Sequence, residues 1–187
     1  IAKMWKPGAI IRVSFLDGKP EIKEKVKKYA LEWTQYANIT FQFVNDGDMS
    51  AEIRITFQGT GSWSYLGTDC LLDSYKGKPT MCFGWLTPTT DDAEVSRVVL
   101  HEFGHALGAI HEHQNPTGSI PWDKEKATAY YKAANGWSDE QVQVNIFEKY
   151  NGSECNSSAY DPNSIMHYPI PPEILTNPSF SVGWNRD

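Results

Sequence analysis

Residues 101–111 read HEFGHALGAIH, a run that holds the residue types of a metal-assisted hydrolase. On an α-helix His101 and His105 stand one turn apart on the same face. Two imidazoles so placed can reach one Zn²⁺ at about 2.0–2.1 Å, with Glu102 beside them as a general base. A helix running straight on would carry His111 about 15 Å along the axis from His101, beyond ligand range. Gly108 offers a remedy, because glycine tolerates the left-handed conformation that ends a helix and turns the chain. The chain can then fold back and present His111 to the same ion, giving one Zn²⁺ per chain. Three histidines leave a fourth position for water, which marks a catalytic rather than a structural zinc site. The spacing of His101 and His105 alone could be chance patterning on an amphipathic helix. Gly108 and His111 at their required offsets make chance a poor account.

These residues need a helix ahead of the turn and a scaffold to hold it. Asp91 or Asp92 can cap that helix, which then carries Val95, Val98, Val99 and Leu107 inward. Upstream, residues 9–16 (AIIRVSFL) are rich in β-branched residues and bounded by turn residues, which predicts a strand. Residues 21–38 place Ile22, Val26, Tyr29, Ala30, Trp33 and Ala37 at three- and four-residue spacing, the pattern of an amphipathic helix. Residues 39–44 and 51–57 alternate apolar with polar, as half-buried strands do, and 59–67 can add an edge strand. Residues 68–90 show little periodicity and read as a long loop. Two more helices are predicted over 123–134 and 138–150, with proline-rich irregular chain from Pro162. No repeat, low-complexity tract or flexible linker interrupts the chain. The pattern predicts a single domain over 1–187, with subdomains of about 1–111 and about 112–187.

HExxHxxGxxH is the zinc signature of the metzincin metallopeptidases, and 101–111 resembles it at every fixed position. Downstream, Ser164-Ile165-Met166-His167-Tyr168 resembles the Met-turn of the astacin group. Glu112 after the third histidine is similar to that group as well, and residues 61–67 (GSWSYLG) resemble its edge strand. The likeness runs from about Trp5 to Tyr168. It implies an α+β, zincin-like (metzincin) fold: an N-terminal mixed sheet with helices, an irregular C-terminal subdomain, and an active-site cleft between them. It also implies roles. Tyr168 would be a fifth zinc ligand that swings away to stabilise the oxyanion; a plain packing aromatic is the alternative. Met166 would be structural support, a hydrophobic floor beneath the histidines. Ser62, Trp63, Ser64 and Tyr65 would form the strand on which an extended substrate pairs, although Trp63 and Tyr65 equally fit a core face. Glu112 matches the family glutamate that anchors the mature N-terminus, but the chain begins several residues short of the family's, so an exposed carboxylate is the alternative. Astacin domains usually extend beyond the position of Asp187, so a C-terminal helix is expected beyond this chain or trimmed from it.

Composition narrows the partners. A formal net charge of −6 over 187 residues argues against nucleic acid or an anionic membrane. No apolar run approaches the roughly 20 residues that span a bilayer. The start lacks the basic-then-apolar pattern of a secretory leader, so a secreted protein would be present here in processed form. Three cysteines leave one odd. Cys70 and Cys82 flank a Gly/Lys/Pro-containing stretch and are expected to pair locally. Cys155 would then be an inert half-buried thiol, or one able to bind the metal or an inhibitory pro-segment. The astacin pattern has cysteine where this chain has Ser62, so family disulfide pairing does not carry over. Asn38, Asn151 and Asn156 head glycosylation sequons.

The function expected is a secreted, extracellular zinc endopeptidase, a monomer acting on internal peptide bonds of extended protein or peptide substrates. Glu102 and Tyr168 would be its catalytic residues. A catalytically silent secreted binding module with the same fold is the alternative from another class. Intact Glu102, His101, His105 and His111 speak against it. Glu112 and His167-Tyr168 likewise speak against a different metzincin branch.

Overall fold

The computed structural model describes residues 3–153 and 155–185. Its first strand, β1 (Ala9–Phe15), buries Ile11, Val13 and Phe15 and leaves Ile10 64% exposed, the alternation that places every second side chain on one face. Parallel pairing requires a crossover, and α1 (Pro20–Ala30) supplies it between β1 and β2 (Ile39–Phe43). With β3 (Ile53–Thr56), β4 (Ser62–Ser64) and β5 (Met81–Phe83), the sheet runs β2-β1-β3-β5-β4. All neighbours are parallel except β4, which pairs antiparallel with β5 (Trp63 opposite Cys82) and ends the sheet. The site helix α2 (Asp92–Leu107) packs against α1. Ile11, Val13 and Phe15 meet Ile22 and Val26 of α1 and Val95, Val99 and Phe103 of α2 in one core. Phe103 sets its ring edge-on to Phe41, centroids 5.1 Å apart. The fold is mixed α and β, as the sequence predicts.

Four local differences have physical causes. The predicted helix over 21–38 is α-helical only to Ala30, then 3₁₀ over Leu31–Gln35. There Thr34 Oγ1 donates to Leu31 O (2.7 Å) and the Trp33 indole donates to Leu100 O (3.0 Å), bonds that accompany the tighter turn. β3 is buried on both faces rather than half-buried: Ile53 and Ile55 enter the core, and Arg54 is folded inward onto the carbonyls of Ala51, Tyr75 and Lys78. The stretch predicted as loop over 68–90 contains β5, three apolar residues too short to show a period. Finally, Cys70 and Cys82 are free and buried, not joined. Cys82 Sγ faces the carbonyls of Gln58 and Gly61 (both 3.8 Å), whereas the charges acting on Cys70 are Arg54, Glu52 and Asp69. Cys155 is free too and half-buried.

The structure divides into two compact units, one ending at Ile110 and one spanning His111–Asn185. In the second, Asp123 caps α3 (Lys124–Asn135) and a reciprocal Ser138–Gln141 box caps α4 (Asp139–Val142). The helix predicted over 138–150 is broken: after α4 the chain widens into a π-turn, Gln143–Phe147. Side chains claim its carbonyls. Gln114 Nε2 donates to Val144 O and Glu148 O (3.0 and 3.1 Å), and His113 Nε2 donates to Asn145 O (2.8 Å). Ala127, Val142, Ile146, Ile170 and Ile174 make this unit's core.

Phe103 is fully buried. We expect Phe103→Ala to cost about 3–5 kcal/mol, read as a lower urea midpoint at unchanged slope. A loss under about 1 kcal/mol would show that α2 is not held through this ring.

Candidate metal centre

Asp91 caps α2: its Oδ1 accepts from Ala93 N (3.0 Å), and Asp92 and Glu94 add negative charge to the first turn. The helix ends at Gly108, φ +105°. Gly108 N–H bonds His105 O (2.8 Å) and Ala109 N–H bonds Gly104 O (2.9 Å), the paired closure that a left-handed glycine makes possible. This turn orients His105 as well. His105 Nδ1–H donates to Ala109 O (2.8 Å), which leaves Nε2 as the lone-pair nitrogen. Burial and the neighbouring His101 imidazole push the His105 ring down to about 4, so it stays neutral.

Other side chains brace the same segment. The Trp5 indole N–H bonds Ala106 O (2.8 Å), meeting one of the carbonyls that a helix C-terminus leaves open. Chain at Lys3–Met4 passes Gly108 and lies tight on Gly67, where an added Cβ would fall 1.9 Å from Lys3 O. Sequence reasoning named neither Trp5 nor Gly67 for this task. The signal was faint: one tryptophan among seven and one glycine among fourteen.

His101, His105 and His111 come together, their ligand nitrogens all within 4.8 Å of one another. The donors are three imidazoles, one with its tautomer fixed by a backbone carbonyl. That set fits Zn²⁺ and leaves room for a further ligand. Glu102, between the first two, is 6% exposed, and burial pushes its carboxyl up to about 8, with Arg97 pulling it partly back. Its Oε2 has no hydrogen-bond partner among the described residues.

In the second unit Tyr168 lays its ring on two imidazoles, 4.1 Å from His111 and 4.8 Å from His113 between centroids. Met166 is buried in a turn closed by His167 N to Ser164 O (3.0 Å), and its carbonyl accepts from Glu112 N (3.0 Å). Glu112 Oε1 accepts from Asn115 Nδ2 and Asp161 N (both 2.9 Å). The N-terminal residue, which the family's anchoring role for Glu112 concerns, lies outside the described residues. Ser62, Trp63 and Ser64 form the edge strand, and Tyr65 follows it, its N–H on Thr80 O (3.0 Å). Trp63 is 38% exposed and Tyr65 stacks on Tyr75 at 4.0 Å. Arg54 holds that neighbouring loop by donating to Tyr75 O (2.9 Å) and Lys78 O (2.7 Å).

The sequence model of the Astacin peptidase family matches residues 1–171. The chain belongs to the astacin family. A solved structure of myroilysin is 50% identical with a TM-score of 0.92, the match covering 99% of this chain and 89% of that one. The zinc metalloproteinase nas-38 of Caenorhabditis elegans is 26% identical over 171 residues, 89% of this chain. The present chain spans 20% of that relative's length. High choriolytic enzyme 1, a hatching enzyme zinc-protease from Oryzias latipes, shares the fold at 20% identity and a TM-score of 0.57, over 100% of this chain and 80% of that one. Zinc is the cofactor of this astacin domain, with the three-histidine group able to bind it. No helix among the described residues is long and apolar enough to cross a membrane.

Metal analysis of the purified protein should return one zinc per chain, and chelation should lower the melting temperature. His105→Ala should weaken zinc by more than the about 10–100-fold typical of losing a mere supporting partner. Stoichiometric zinc at parental affinity in that variant would contradict the assignment.

Proposed function

We propose that this astacin domain is a secreted, monomeric zinc endopeptidase that cleaves internal peptide bonds of extended polypeptides. The observation that carries the reading is Glu102, a buried carboxyl with Oε2 unpartnered among the described residues, adjacent in sequence to one histidine of the group. An unpartnered buried carboxyl costs stability and has no evident structural return, whereas a general base needs an oxygen ready for a proton. His101, His105 and His111 would hold zinc, which would supply Lewis acidity toward the scissile carbonyl and a water. Glu102, whose ionised form the positive charge of bound zinc would favour against the effect of burial, takes the proton of the attacking water and returns it to the leaving nitrogen, base and then acid. Tyr168 donates its hydroxyl to the charge developing on the carbonyl oxygen. The contact of its ring with His111, tilted at 48°, and its stacking on His113 support that placement. Met166, buried in the turn that bonds Glu112 N, serves as a hydrophobic support. β4 ends the sheet, so substrate can add along Ser62–Tyr65 as a further antiparallel strand. Membership of the astacin family supports the secreted reading.

Glu102→Gln should keep fold and zinc while lowering kcat by about 10²–10⁴-fold; turnover within a few-fold of the parent would assign the base elsewhere. Tyr168→Phe should lower kcat by about 10²–10³-fold with KM little changed. A near-normal kcat there would reduce Tyr168 to a packing residue.

A further inference from the structure

Tyr160 lies outside every residue set assigned above. Its ring is held on several sides. Phe180 stacks on it with centroids 6.2 Å apart, and Gly118 lies so close that an added Cβ would sit 2.8 Å from the ring. Its backbone is tied down as well: Tyr160 N–H donates to Thr117 Oγ1 (3.0 Å), and the next amide, Asp161 N–H, donates to Glu112 Oε1 (2.9 Å). The hydroxyl at the end of this ring is therefore a fixed point. It meets His167 Nε2 at 2.7 Å. The other nitrogen of the same imidazole, Nδ1, lies 2.6 Å from Tyr168 O. A carbonyl can only accept, so Nδ1 carries the proton and Nε2 accepts from the Tyr160 O–H. The imidazole is buried, 4% exposed.

The bond to Tyr168 O fixes the peptide plane that joins Tyr168 to Pro169, whose ring restricts the same junction from the other side. Fixing that plane limits how the Tyr168 Cα–Cβ direction can turn. The phenol then projects onto His111 and His113 with little freedom at its base. A purely structural Tyr–His pair could have ended on any carbonyl of the turn; this one ends on the residue whose hydroxyl is assigned a chemical role.

The geometry points to Tyr160 as a positioning residue, which through His167 sets the direction from which the Tyr168 hydroxyl acts. This rests on the reading of Tyr168 given under Proposed function. The order is Tyr160 O–H to His167 Nε2, then His167 Nδ1–H to Tyr168 O, with no proton transferred.

A double-mutant cycle on the zinc-loaded chain tests it, using Tyr160→Phe, Tyr168→Phe and both together. Tyr160→Phe should lower kcat by about 10- to 100-fold, the scale of a small misplacement of a reacting group, with KM nearly unchanged. In the Tyr168→Phe background the same change should do nothing further. Imidazole ¹⁵N spectra supply a readout apart from turnover: His167 should hold its Nδ1–H form in the parent and lose its single, ordered signal in Tyr160→Phe. Should Tyr160→Phe fold poorly, Gly118→Ala displaces the ring and keeps the hydroxyl, and it should give the same loss of kcat. Equal losses in both backgrounds would overturn the proposal, as would a normal kcat in Tyr160→Phe beside a deficient Tyr168→Phe. A normal kcat in Tyr168→Phe would remove the reading of Tyr168 itself, and this proposal with it.

Discussion

The turn at Gly108 is the constraint on which the site depends. A backbone φ of +105° is open to glycine and strained for any residue with a Cβ. In that conformation α2 closes its own end through Ala109 N and Gly108 N, Ala109 O comes back to hold His105 Nδ1, and His111 joins the group of His101 and His105. One backbone conformation therefore sets the course of the third histidine and the tautomer of the second. A helix that continued would lose both.

Around this turn, donors reach backbone carbonyls that regular structure leaves open or shares. Trp5 reaches Ala106 O, Trp33 reaches Leu100 O, Arg54 reaches Tyr75 O and Lys78 O, and His113 reaches Asn145 O. Each is a large side chain whose body adds to packing while its polar end meets a defined acceptor. Trp33 and Trp5 thus tie the metal helix at Leu100 and Ala106, while Arg54 and His113 do the same for other segments; none of these groups does chemistry. Glu102 is the contrast. It is a buried carboxyl left without a partner at Oε2 among the described residues.

Much of this was legible in the sequence, and the reasons are specific. His101, His105, Gly108 and His111 are read by helical spacing and one glycine, because all of them lie within eleven residues and the geometry is local. β1 and α1 show their periods over a full element. β5 did not, since Met81–Phe83 is too short to carry a period and is a strand only because β3 and β4 flank it. The buried state of Arg54 depends on carbonyls 21 and 24 residues away. The π-turn at Gln143–Phe147 depends on Gln114 and His113, about thirty residues upstream. The expected Cys70–Cys82 bridge failed for the same reason: separation along the chain says nothing of where each thiol points, and the two face different neighbours. Tyr160 and His167, seven residues apart, were near enough to notice, but no period links a loop residue to a tight turn.

The measurement that tests the central claim most directly is the zinc dissociation constant of Gly108→Ala. A Cβ there would meet nothing nearer than 3.5 Å, so space is not the obstacle and the substitution probes backbone conformation alone. Holding alanine at positive φ costs about 1–3 kcal/mol, and zinc binding must impose that conformation on a turn that otherwise relaxes. The account predicts a folded variant whose zinc affinity falls by roughly tenfold or more, in proportion to that strain. A folded Gly108→Ala protein that binds zinc as tightly as the parent would contradict it.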